Sequence, residues 1–84
     1  MIMELIFNNK AAEFRADTHF NLHIEGGRDV VLYRRTSGER WDIVGRLIGN
    51  IIDIDVAVTL PKDYRVTCTV EPTMAVVTFK EKEE

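Results

Sequence analysis

Three scarcities bound what this 84-residue chain can be: it has one cysteine, Cys68, one serine, Ser37, and no long apolar run. A lone cysteine closes no intramolecular disulfide, which excludes a disulfide-stapled extracellular scaffold and fits a reducing compartment. Ser37 sits in the short segment Thr36-Ser37-Gly38-Glu39 with no glycine elbow, base or orienting group around it, which excludes serine-nucleophile chemistry. No stretch approaches the roughly 20 apolar residues that cross a bilayer, and Met1-Ile2-Met3-Glu4 does not begin as an export signal does. The expectation is a soluble chain with neither a membrane segment nor a secretion signal. The helix formers leucine and alanine are also sparse, at five residues each.

What replaces them is β-branched: valine, isoleucine and threonine together supply 24 residues. Such side chains pack well on a pleated surface and lose rotamer freedom in a helix. Ile52, Ile54, Val56, Val58 and Leu60 alternate with polar or small residues until Pro61, and Tyr64, Val66, Cys68 and Val70 alternate again before Pro72. A period of two marks strands with one buried face and one wet face. Ile52, Ile54, Val56, Tyr64, Val66 and Cys68 are assigned to the core on this basis. Phe20, Leu22 and Ile24 repeat the pattern ahead of Gly26-Gly27, and Val30–Arg35 and Arg40–Leu47 flank Thr36–Glu39 as a hairpin. Met3–Phe7 and Ala12–Ala16 are shorter strand candidates around Asn8-Asn9-Lys10, with a helical turn at 11–16 as the alternative. Seven or eight short strands spaced by turns predict an all-β antiparallel sandwich as a single domain over 1–79, followed by a charged tail at 80–84.

The formal charge is −3, which argues against a general nucleic-acid binder. Charge is uneven, however. Residues 28–47 hold five of the seven arginines, Arg28, Arg34, Arg35, Arg40 and Arg46, against three carboxylates. The preceding segment has two cations against four carboxylates, and the following one four against seven.

Side chains that could carry chemistry are few. His19 and His23 are spaced as a zinc pair would be on a helix, but on a strand they stand roughly 13 Å apart, too far to share an ion. Asp53 and Asp55, about 6–7 Å apart on one strand face, match a glycosidase separation, yet they simply occupy the polar phase of that strand. Cys68 falls on an apolar face, where a thiol is inert. Gly26-Gly27 and the isolated glycines match no nucleotide-binding loop. The reading is a non-enzyme with no catalytic residue, metal or cofactor. The arginine hairpin points elsewhere, because Tyr33, Arg34, Arg35, Arg40 and Trp41 are the residue types that dominate protein interfaces. A solvated hairpin with Trp41 turned into the core is the competing reading.

The run Val31-Leu32-Tyr33-Arg34-Arg35-Thr36-Ser37-Gly38-Glu39-Arg40-Trp41-Asp42-Ile43-Val44 resembles a hairpin of small virion proteins of tailed bacteriophages, where a strand ending Leu-x-Arg-Ser meets an Asp-Gly-Gly turn and Thr-Trp opens the next strand. Asp63-Tyr64-Arg65-Val66-Thr67-Cys68 is similar to the Tyr-Arg-x-x-Cys strand of that family, and Ala75–Phe79 to its closing strand. The matches span residues 30–79. The turn is about one residue shorter here, Thr36-Ser37 replaces the usual aspartate, and Arg35 replaces the serine. Of the sialidase Asp-box, to which the hairpin is also similar, only Gly38 and Trp41 survive. Leu60-Pro61-Lys62-Asp63-Tyr64 looks like the tyrosine corner of fibronectin type III domains, which implies an immunoglobulin-like sandwich. The phage resemblance implies a virion component made in the host cytoplasm, such as a capsid decoration, head-fibre or tail-associated subunit. Its partners would be capsid or tail proteins, with homo-oligomers and with neither nucleic acid nor membrane. The fibronectin resemblance implies a stand-alone glycan- or protein-binding module. One tryptophan and two tyrosines make a poor aromatic platform for sugars, which favours the virion expectation.

Overall fold

A computed structural model describes residues 1–80. Eight strands occur among the described residues: β1 Ile2–Glu4, β2 Ala11–Ala16, β3 Phe20–Glu25, β4 Val30–Arg35, β5 Asp42–Leu47, β6 Ile51–Val56, β7 Lys62–Thr67 and β8 Met74–Phe79. They form two four-stranded antiparallel sheets, ordered β1-β8-β3-β6 and β2-β7-β4-β5. The molecule is an antiparallel β-sandwich. No helix long and apolar enough to cross a membrane occurs among the described residues.

The alternations decide which side of each strand is inside. Ala12, Phe14 and Ala16 from β2 face Phe20, Leu22 and Ile24 from β3, with Leu32, Val66 and Val77 completing the buried layer. The small residues of 11–16 thus form a strand, since pairing of Ala11–Ala16 along β7 from Thr67 to Lys62 satisfies their backbone groups. Asn9 and Lys10 both adopt positive φ, 53° and 63°, and Asn8 bridges Ala11, which is the mirror-image turn that matches strand twist. Gly38 supplies the same freedom at φ 82° in the hairpin turn, where the Glu39 amide donates to the Thr36 carbonyl at 2.9 Å.

All six residues assigned to the core point inward; Ile54 is only partly buried and packs against the cluster. The pattern fails at its ends. Leu60 and Val70 are exposed because β6 stops at Val56 and β7 at Thr67, before the chain reaches them. Lys80 is tied to the sandwich by its amide on the His19 carbonyl and by its own carbonyl under the Thr18 hydroxyl. The rest of the expected tail, 81–84, lies outside the described residues.

The middle strands interlock as in immunoglobulin domains, β3 beside β6 in one sheet and β4 beside β7 in the other. The outer strands are exchanged. The last strand of an immunoglobulin domain lies beside the strand that β7 represents, but here β8 lies beside β3 and β2 takes the place next to β7. The tyrosine corner is also altered: Tyr64 is fully buried, stacked on Phe14 at 5.5 Å, and its hydroxyl has no hydrogen-bond partner. A buried unpaired hydroxyl costs about 1–3 kcal/mol in desolvation. Tyr64→Phe is therefore expected to leave thermal stability unchanged or raise it by about 1 kcal/mol. A clear drop in melting temperature would mean that the hydroxyl is bonded after all.

Candidate docking surface

Strand alternation puts Tyr33 and Arg35 on the outer face of the β2-β7-β4-β5 sheet and Arg34, one residue between them, on the inner phase at the rim opposite Asp42. The register sets Tyr33 beside Arg65 and Arg35 beside Asp63. Trp41, just ahead of β5, does not enter the core. It lies half-buried on the outer face, with the guanidinium carbons of Arg35 and Arg65 at 4.3 and 4.5 Å from its ring centroid. Such contacts stabilise by about 0.5–1 kcal/mol each where partly exposed.

Ionic contacts hold these arginines in place. Asp63 accepts from Arg15 at 3.1 Å and stands 3.5 Å from Arg35 Nε, while Glu13 accepts from Arg65 at 2.8 and 3.2 Å. The outer face is thus a lattice of Arg15, Asp63, Arg35, Trp41, Arg65 and Glu13 spanning three strands and the turn. Exposed ion pairs add little stability, about 0–1 kcal/mol each, but several sharing partners fix side-chain geometry. β5 adds Ile43, exposed and level with Tyr33, and a bulge: Val44 has no partner between the Tyr33–Ile43 and Leu32–Gly45 pairs.

The hairpin arginines do not act together. Tyr33, Arg35 and Trp41 share one surface; Arg34 faces away from it, and Arg40 is exposed in the turn. Arg28 and Arg46 meet at the opposite end, lining a cleft of about 350 Å³ with Gly27, Val31, Ile48 and Gly49. Among the described residues, no carboxylate lies within ion-pair distance of Arg28, Arg34, Arg40 or Arg46. The members that sequence reasoning missed are Arg15, Glu13, Asp63 and Arg65. They come from β2 and β7, and only the non-local pairing of those strands with β4 brings them to the hairpin.

Comparisons with family models, curated proteins and solved structures returned no match.

The side chains considered for metal or acid–base work lie elsewhere. His19 Nδ1 accepts the Val58 amide at 2.8 Å. His23 lies on the outer face of the other sheet, with Nε2 2.6 Å from Glu25 and Nδ1 2.9 Å from Asp53. Asn21 Nδ2 donates to Asp53 at 2.6 Å and to Asp55 at 3.2 Å. Among the described residues, no three histidine, cysteine or carboxylate groups are placed to hold one metal ion. Cys68 is buried, and that burial pushes its thiol pKa up, so it is a poor nucleophile.

The bond to Glu25, then that to Asp53, raises the His23 pKa above its ordinary 6.5. The bond from Asn21, then that from His23, lowers Asp53 below its ordinary 3.8. A raised imidazole stabilises the fold fully below pH 6.5, and this is lost as pH rises through the folded value. A lowered carboxyl stabilises it above pH 3.8, and this is lost as pH falls through the folded value. Both contributions are fully present together between those limits and fade beyond them. Nuclear magnetic resonance titration should place the His23 midpoint above 6.5, and Asp53→Asn should bring it down. A midpoint at or below 6.5 in the wild type would contradict the network.

Proposed function

We propose that this chain is a non-enzymatic docking protein whose interface is the outer face of the β2-β7-β4-β5 sheet around Trp41. The observation that carries the reading is the held tryptophan: a half-buried Trp41 whose ring is contacted by the guanidinium groups of Arg35 and Arg65, with Tyr33 and exposed Ile43 alongside. Tryptophan, tyrosine and arginine are enriched at interface hot spots, and an anchor already immobilised in the free protein loses less entropy on binding. Arg40, exposed in the turn beside Trp41 and without a carboxylate at ion-pair distance, adds unneutralised charge next to this anchor. A complementary acidic surface would steer and hold it. Guanidinium groups lie over the indole ring that a sugar would need for stacking, so a protein partner suits this surface better than a glycan.

The finer proposal is a bacteriophage virion component, in the class of capsid decoration, head-fibre or tail-associated subunits. It rests on the resemblance of three segments to small virion proteins; in this chain they form β4 and β5, β7 beside β4, and β8. A repeating particle surface would add avidity to a weak single site when subunits are linked. The wild-type chain should co-sediment with purified tailed-phage virions of its source, and Trp41→Ala, folded by circular dichroism, should stay in the soluble fraction. Wild-type protein found only in the soluble fraction would overturn the virion reading, and unchanged co-sedimentation of Trp41→Ala would overturn the surface.

A further inference from the structure

The two outer faces of the sandwich carry opposite charge. Across the β2-β7-β4-β5 sheet, the outward phase holds Arg15, Arg35, Arg46 and Arg65 against Glu13 and Asp63. Across the β1-β8-β3-β6 sheet it holds Glu4, Glu25, Asp53 and Asp55, with Lys80 4.0 Å from Asp55 and His23 among the carboxylates. The register lines them up in rows: Glu4, Val76, His23 and Asp53 in one, Ile2, Thr78, Asn21 and Asp55 in the next. Asn21 and His23 bond three of these carboxylates, so the acidic pattern is as ordered as the basic one. Exposed Ile2, Ile51 and Met74 border it, as Ile43 borders the basic face.

We infer that the acidic outer face is a second docking surface whose partner is the basic outer face of another copy of this chain, so that copies stack head to tail. The inference rests on the reading that the basic face docks, and it names one partner for it. Charge of opposite sign on apolar-bordered faces of one molecule gives complementarity between copies that neither face has with itself. The size is adequate. The Cα extents are 38 × 27 × 20 Å, and with sheets about 10 Å apart the shortest lies across the sandwich. Each broad face then offers roughly 1,000 Å², against the about 800 Å² per partner of a stable interface. The contact is heterologous, since a different patch is used on each copy, and opposite faces of a slab give an open row rather than a closed dimer.

Light scattering over a concentration series tests this. Wild-type protein should exceed the monomer mass at low salt and return to it at high salt, because these charges are exposed and screened. Glu4→Lys with Asp55→Lys removes the acidic face, and Arg15→Gln with Arg46→Glu removes the basic one, the neutral glutamine avoiding a second carboxylate against Asp63. Each double variant should be monomeric alone, and mixing the two should restore association, since one then has two basic faces and the other two acidic faces. The neutral pair Glu4→Gln with Asp55→Asn gives the same loss of self-association should the lysine variant not fold by circular dichroism. If the acidic-face variants associate like wild type while the basic-face variant does not, this inference falls and docking by the basic face stands. If wild type is monomeric at low salt yet co-sediments with virions, the inference falls in the same way. If it neither associates nor co-sediments, both fall.

Discussion

Replacing Phe20 with alanine is expected to cost about 3–5 kcal/mol, the range for losing a buried aromatic ring and leaving a cavity. At about 0.05–0.15 kcal/mol per residue, the total for 84 residues is roughly 4–13 kcal/mol, so the variant would lose from about a quarter to all of the fold's stability. Phe20 is fully buried at the start of β3 and touches both sheets. Its ring meets Phe14 edge-on at 5.2 Å and Tyr64 at 5.0 Å, both from the opposite sheet, and Phe79 of its own sheet at 6.2 Å. Edge-to-face pairs add about 0.5–1.5 kcal/mol beyond the area they bury. With a single cysteine there is no disulfide to compensate. Chemical denaturation would show the loss as a lowered midpoint. A cost under about 1 kcal/mol would mean that the neighbouring rings collapse into the space and the cluster does not join the sheets.

Strand identity was legible wherever one face is apolar and the other polar. The phase of β3, β6 and β7 was readable from Phe20-Leu22-Ile24, Ile52-Ile54-Val56 and Tyr64-Val66, because burial of one face imposes a period of two. The ambiguous segment 11–16 shows the limit: Ala-Ala-Glu-Phe-Arg-Ala has helix formers in a strand pattern, and only the partner strand β7, some 50 residues away, decides between them. Sheet order was not legible. Which strands neighbour one another is a long-range choice, and the exchange of β2 and β8 between sheets leaves no local trace.

The docking surface was half legible for the same reason. Residue types marked the hairpin, and the structure brings Tyr33, Arg35 and Trp41 together. Treating Arg34 and Arg35 as one patch ignores the strand's alternation, which sends them to opposite sides. The local excess of arginine looked self-repelling only because its counter-charges, Glu13 and Asp63, belong to strands distant in sequence. Charge reversal at Arg35 would accordingly set a carboxylate against Asp63 and uncover Trp41, which makes Arg40 and Arg46 the cleaner positions for probing charge.

Val66→Ala and Thr67→Ala form a pair that tests the face assignment by one residue. Val66 is fully buried in β7, level with Ala12 of β2 on one side and Leu32 of β4 on the other. Truncation removes two carbons from a packed layer, and the transfer loss plus the cavity comes to about 2 kcal/mol. Thr67 points the other way, toward the outer face beside Ala11 and Val31, and is only partly buried. Its truncation should cost about 0.5 kcal/mol, as is usual for surface positions. A central strand cannot slip to compensate, because moving by one residue would turn Tyr64 and Val66 outward together and bring Arg65 into the aromatic cluster. Parallel denaturation of the two variants therefore reads the register directly. An equal or reversed ranking would show that β7 faces the other way and that Arg65, with its contact to Trp41, is not part of the outer surface.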